Sequence, residues 1–176
     1  MFIKWFVLAI LTVILMLVHV IFSPVIYLFL NKEGYLPSWL SWFQTEDAPA
    51  IGDQMFADNE AKGITSHYIR GILWGIRNPA YGFMASCGIK ISDITEYTES
   101  GPEVDIGDGG YSLGSVYRSC KNDCTKYFNY KAAGKWFSTD YAWMVEFGWS
   151  LNHIDKASNG TIRRMTVDIR PKILLK

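Results

Sequence analysis

The sequence predicts an α+β protein: an N-terminal transmembrane helix, then short interfacial and amphipathic helices, then a mostly antiparallel β-sheet domain. Three observations carry that prediction. Trp5 to Leu30 contain no Asp, Glu, Lys or Arg and are almost wholly Leu, Ile, Val, Phe and Met. Apolar residues between Ile64 and Ile76 recur with the 3.6-residue period of a helix, and from Ile89 onward the period shifts toward two. The implied division is 1–30 as the transmembrane anchor, 31–60 as an aromatic interfacial segment with an acidic linker, and 61–176 as a globular α+β domain.

A helix rises about 1.5 Å per residue and the hydrocarbon layer is roughly 30 Å thick, so about 20 apolar residues span it. The run from Trp5 is longer than that. It also exceeds the 7–15-residue apolar core of a removable signal peptide, and its one candidate break, Ser23-Pro24, puts proline where cleavage is disfavoured. A retained anchor is therefore expected. Pro24 should kink the helix or end it near Ser23, because proline removes a backbone hydrogen bond and crowds the preceding turn. His19 is the one ionisable group in the run. With no intramembrane carboxylate or second histidine to relay a proton, it is expected to make a polar helix–helix contact or to lie at the interface.

Lys4 and Lys32 flank the run, and the α-amino group beside Lys4 tips the positive-inside balance. The N-terminus is thus expected in the cytoplasm and everything from Asn31 onward outside it. Cys120-Lys-Asn-Asp-Cys124 then reads as a tight turn whose flanks an oxidising compartment could staple with a Cys120–Cys124 disulfide, leaving Cys87 over; two free thiols fit the spacing equally well.

Gly34 to Phe43 are dense in aromatics and free of charge. Trp and Tyr prefer the membrane–water boundary, where an apolar ring and a polar N–H or O–H are both satisfied. Trp5, Trp39, Trp42 and Phe43 are the candidate interface residues, with a short helix from about Pro37; packing of the Gly34–Phe43 aromatics onto the domain that follows fits the pattern equally well. Gln44 to Glu60 is acidic and turn-rich and reads as a loop. Thr65 or Ser66 can cap the next helix, which should end at Asn78-Pro79. Its Gly71 and Gly75 form a G-x-x-x-G, for which close packing against a strand is the expected use outside a membrane span.

Trp39-Leu-Ser-Trp-Phe-Gln-Thr-Glu-Asp47 and Arg77-Asn-Pro-Ala-Tyr-Gly-Phe83, behind an N-terminal hydrophobic segment, resemble a family of small, uncharacterised membrane proteins of tailed bacteriophages. Val145-Glu-Phe-Gly-Trp149 resembles a strand near the end of those proteins. The resemblance implies phage origin and a host-membrane or virion setting. It carries over no catalytic residue, since that family has no assigned activity.

In the C-terminal half, Tyr141, Trp143, Val145, Phe147, Trp149 and Leu151 alternate with smaller or polar residues, so this aromatic face is the expected core. Ser158-Asn159-Gly160 suits a hairpin turn leading into a returning strand over 164–170. Six carboxylates between Asp93 and Asp108 lack the spacing of a calcium loop and read as a solvated acidic stretch. With 17 basic and 17 acidic residues the chain is neutral, which argues against nucleic acid as a partner.

No nucleophile elbow, P-loop, zincin or paired Cys-His motif occurs. The muramidase pattern of membrane-anchored lysis enzymes starts at Glu96 with Asp105 or Glu99 with Asp108, but Tyr111 and Gly114 stand where its threonine belongs. No catalytic, cofactor-binding or metal-ligating set is expected. The expected partners are the lipid bilayer, an unidentified protein and, through the N-terminal helix, a second copy of the chain. The function this implies is non-catalytic work at the host inner membrane; the alternatives are holin-like lysis control and a virion or DNA-entry component.

Overall fold

The computed structural model describes residues 2–44, 54–90, 97–100, 105–107, 110–112, 115–120, 127–136, 141–150 and 162–174. The class is α+β, as the patterning predicts. The described residues form two compact units, a helical one within Phe6–Cys87 and a sheet unit built from Gly88 onward together with the first turn of the N-terminal helix.

Helix α1 runs Phe2–Ile26 and continues as a 3-10 turn, Tyr27–Phe29. Pro24 neither ends it nor stops it at Ser23. The proline has no N–H for the Val20 carbonyl, and the Ser23 hydroxyl donates to that carbonyl instead, at 3.1 Å. Beyond it, the Tyr68 hydroxyl donates to the Pro24 carbonyl at 2.6 Å, where the change to 3-10 winding has altered the register. Asn31 builds the next turn: its Oδ1 accepts from the Glu33 and Tyr35 amides at 3.0 and 2.8 Å.

Pro37 precedes a 3-10 helix, Ser38–Phe43, rather than an α-helix. Its period of three sorts the aromatics by side, with Leu40 buried and Phe43 half-buried while Trp39 and Trp42 stay exposed. The acidic stretch is not wholly loop, because helix α2 occupies Gln54–Ala61. It ends in a Schellman motif: Gly63 N–H bonds to the Glu60 carbonyl at 2.9 Å and Ile64 N–H to that of Asn59 at 3.0 Å, with Gly63 at φ +89°.

Helix α3, His67–Arg77, starts where expected. The Ser66 side chain accepts from the Ile69 amide, and Asn78 closes the helix with an N–H bond to the Trp74 carbonyl. Arg70 is buried and donates to the exposed Glu60 at 2.6 Å, tying α3 to α2. Helix α4, Tyr81–Ser86, brings its backbone against the carbonyls of Ser41 and Gln44, an approach that only Gly82 leaves room for. Ile26, Tyr27, Leu36, Leu40 and Trp74 form the apolar core of this unit.

In the sheet unit, strands β2 (Tyr97–Ser100), β5 (Ser115–Cys120), β6 (Phe128–Lys135), β7 (Tyr141–Trp149) and β9 (Met165–Leu174) form an antiparallel sheet in that order. β3 (Asp105–Gly107) pairs with β4 (Gly110–Ser112), and β1 (Ile89–Lys90) with β8 (Ile162–Arg163). The face of β7 differs from expectation. Ala142 and Met144 are buried, whereas Tyr141, Trp143, Val145 and Phe147 are half-buried. Two glycines explain the exchange. Gly134 lies opposite Trp143, and a Cβ there would stand 2.9 Å from the indole, so the ring fills a space a side chain would need. Gly148, at φ +108°, lies directly against the Phe128 carbonyl and precedes Trp149, which is fully buried. Leu151 and the Ser158–Gly160 turn lie outside the described residues.

Candidate membrane-binding surface

Helix α1 is inside out by the standards of a water-soluble protein. Its buried positions are Ala9, Thr12, His19, Ser23 and Ile26, a stripe at helical spacing whose members are mostly small or polar. The exposed positions are Ile, Leu, Val and Phe, including Leu17 at 59 % and Ile21 at 67 %. The hydroxyls in the stripe are satisfied within the helix, Thr12 donating to the Leu8 carbonyl at 2.8 Å. A soluble helix turns its apolar side to the core and its polar side to water. An exposed apolar strip of this length marks a surface covered by something other than water. At 25 residues, α1 measures about 37 Å and is long and apolar enough to cross a membrane.

Helix α3 shares part of this pattern: Tyr68, Ile69 and Ile76 of its apolar stripe are exposed, and the buried face is Arg70, Gly71, Trp74 and Gly75, with Trp74 in the apolar core. The two glycines meet Tyr27, not a strand. A Cβ at Gly71 would stand 2.8 Å from Tyr27 Cδ1, and one at Gly75 would stand 2.7 Å from the Tyr27 hydroxyl and 2.9 Å from His19 Nε2. This is the use of G-x-x-x-G found between membrane helices, where small residues let apolar elements approach closely.

His19 is fully buried at this junction, stacked on Tyr27 with centroids 5.8 Å apart and tilted on Phe43 at 4.9 Å. Its Nδ1 accepts from the Ala80 amide at 3.0 Å, so the ring proton resides on Nε2, which has no hydrogen-bond partner among the described residues. Ala80 holds a left-handed conformation, φ +53°, at the start of α4. The expected polar contact of His19 is thus to a backbone amide, and it joins α1 to the α3–α4 connection.

The other sequence-derived residues fall in separate places. Trp39 is 67 % exposed and set edge-on to Phe29 at 5.1 Å; Trp42 is 50 % exposed and edge-on to Phe83 at 5.3 Å. Both can present indole to a membrane surface. Phe43 lies inward against His19. Trp5 packs in the sheet unit, donating from Nε1 to the Thr166 carbonyl at 3.2 Å and lying edge-on to Phe128 and Phe147, each at 5.6 Å. Phe2 stacks obliquely on Phe128 at 4.6 Å, and the Lys4 ammonium lies 5.9 Å from the Tyr127 ring. Cys120 stands at the end of β5, and Cys124 lies outside the described residues. Among the described residues no group of His, Cys, Asp and Glu is arranged to hold a metal.

Sequence reasoning missed the hub role of Tyr27 and the inward face of α3. The available signal was Gly71, Trp74 and Gly75, a small-large-small stripe that competes with the apolar one on the same helix.

Comparison with known proteins gives one match. A family model described as a family of unknown function, DUF7338, covers residues 1–173. The chain belongs to that family. The matched span contains α1 and runs through β9, so the apolar helix lies within the extent of the family and is not an appendage to it. No curated protein and no solved structure matches the chain.

Proposed function

We propose that this is a phage-encoded membrane protein that acts at the host inner membrane by placement and partner contact, without catalysis. The observation that carries it is the inverted polarity of α1, which turns Ala9, Thr12, His19 and Ser23 inward and leaves Ile, Leu, Val and Phe outward, with Tyr68, Ile69 and Ile76 of α3 exposed in the same helical unit. Lipid is the solvent that makes such an arrangement stable, because burying a hydroxyl or imidazole against protein and offering aliphatic carbon to hydrocarbon both lower the free energy. The aromatic-rich motifs around Trp39 and Arg77 support the phage setting.

A single crossing by α1, with the later chain on the periplasmic side, is the arrangement that its length and flanking charges support. A second arrangement is favoured by Phe2 and Trp5. In a crossing helix the first turn and the chain beyond Leu30 lie on opposite sides, yet Phe2 and Trp5 touch β6, β7 and β9. A helix lying in the plane of one leaflet, with only its outward face in hydrocarbon, accommodates those contacts.

The experiment is membrane fractionation of bacteria expressing the chain and its Leu17→Lys variant. Leu17 is outward-facing, so the variant should fold with a stability change under about 0.5 kcal/mol. A lysine near the centre of a crossing helix costs about 2.5–3.5 kcal/mol, which shifts the membrane partition by roughly a hundredfold. Wild-type protein should resist alkaline extraction and the variant should be released. Wild-type protein in the soluble fraction would overturn the proposal.

A further inference from the structure

We propose that the cleft where α1 ends binds the phosphate headgroup of an anionic phospholipid. The inference rests on the membrane reading above and adds a ligand class and a site to it. The cleft has a volume of about 390 Å³ and lies between the Tyr27–Lys32 segment and the start of α3. Its lining combines polar Asn31, Lys32 and His67 with aliphatic Leu28 and Leu30.

Lys32 is the first charged residue after the uncharged run that begins at Trp5, so a helix seated in hydrocarbon delivers it to headgroup depth. Its position is set before any ligand arrives. The Asn31 side chain accepts from two amides of the turn, and Asn31 N–H bonds to the Tyr35 carbonyl at 3.0 Å. Tyr68 is fixed as the opposite wall by its bond to the Pro24 carbonyl. His67 opens α3, whose N-terminal end carries partial positive charge and adds to the attraction for an anion.

The aliphatic part of the lining selects the source of the phosphate. Leu28 is 67 % exposed in the 3-10 turn that continues α1, so an acyl chain leaving a headgroup held by Lys32 would find apolar surface there. A free phosphate ion gains nothing from Leu28 or Leu30. The combination of the Lys32 cation with polar Asn31 and His67 and aliphatic Leu28 and Leu30 in one cleft is the chemistry of a lipid headgroup site.

The test is flotation of the purified full chain with vesicles of phosphatidylcholine alone, or of phosphatidylcholine with added phosphatidylglycerol. Lys32→Gln and His67→Gln are compared with Lys62→Gln, which removes an exposed charge outside the cleft. Wild-type protein should float with both vesicle types and prefer the phosphatidylglycerol set. Lys32→Gln should lose about fivefold of that preference, the worth of one lysine at an anionic surface, while Lys62→Gln keeps it. Equal losses in both lysine variants, or no preference in the wild type, would overturn the site and leave membrane binding standing. Abolition of the preference by soluble glycerol phosphate would assign the cleft to a free phosphate and overturn the lipid assignment. Failure to float with either vesicle would overturn the membrane reading itself.

Discussion

At the scale of single residues, the junction of α1 and α3 is a steric lock around Tyr27. The ring occupies the space in front of Gly71 and Gly75, and its hydroxyl approaches the Phe43 carbonyl at 3.5 Å, too long to hold it firmly. Shape, more than hydrogen bonding, therefore keeps Tyr27 in place. Gly75→Ala tests this because two effects oppose each other. Alanine in a helix interior gains about 1 kcal/mol over glycine, whereas overpacking a filled site costs about 1–3 kcal/mol. Tyr27 is 2 % exposed and stacked on His19, so the ring cannot yield and the steric cost should win. We expect Gly75→Ala to lower thermal stability in detergent by up to about 2 kcal/mol, the difference of the two effects, and to cost less in a Tyr27→Leu background, since residues in contact are not additive. Equal effects in both backgrounds would show that Tyr27 is not what the glycine accommodates.

At the scale of elements, caps and turns were legible while the direction of each helix face was not. Ser66 and Asn78-Pro79 bound α3 because capping and pre-proline restriction are local chemistry. Which stripe of α3 turns inward depends on the surrounding solvent, and periodicity carries no information about that. The 3.6-residue repeat predicts the helix and names no side, and the buried face proves to be Arg70, Gly71, Trp74 and Gly75. Helix α2 is hidden by its acidic, weakly apolar composition, which reads as a loop from Gln44 to Glu60. β7 and β9 follow from alternation, whereas β2 and β3 lie in the stretch between Asp93 and Asp108 that its carboxylates mark as a solvated loop. The buried face of β7 is not legible either, because Gly134 and Gly148 act through a neighbouring ring and a positive φ that side-chain patterning omits.

Gly63 supplies an element-scale prediction free of packing. A Cβ at this position would meet nothing within 4 Å, so Gly63→Ala changes only the cost of holding φ +89°. A non-glycine residue in the left-handed region costs about 1–2 kcal/mol. The variant should therefore be less stable by about 1 kcal/mol, with Gly63→Asn closer to the wild type because asparagine tolerates that conformation. Chemical denaturation that finds Gly63→Ala unchanged would contradict the Schellman closure of α2.

At the scale of the whole molecule, membership of DUF7338 and the α+β architecture stand, and function rests on the surface of α1. The sequence made the apolar run plain but not its sidedness, which appears only when the buried stripe of Ala9, Thr12, His19 and Ser23 is set against the exposed Leu, Ile, Val and Phe. The most direct measurement places a spin label in turn at Leu17, Ile21 and Thr12 in vesicle-bound protein and compares collision with oxygen, which enriches in hydrocarbon, against collision with a water-soluble nickel chelate. Labels at Leu17 and Ile21 should favour oxygen and a label at Thr12 should reach neither. A depth that varies along α1 would indicate a crossing helix, and a constant depth one lying in a leaflet. Ready access of the nickel chelate to Leu17 and Ile21 would contradict the account, because the outward face of α1 would then be in water.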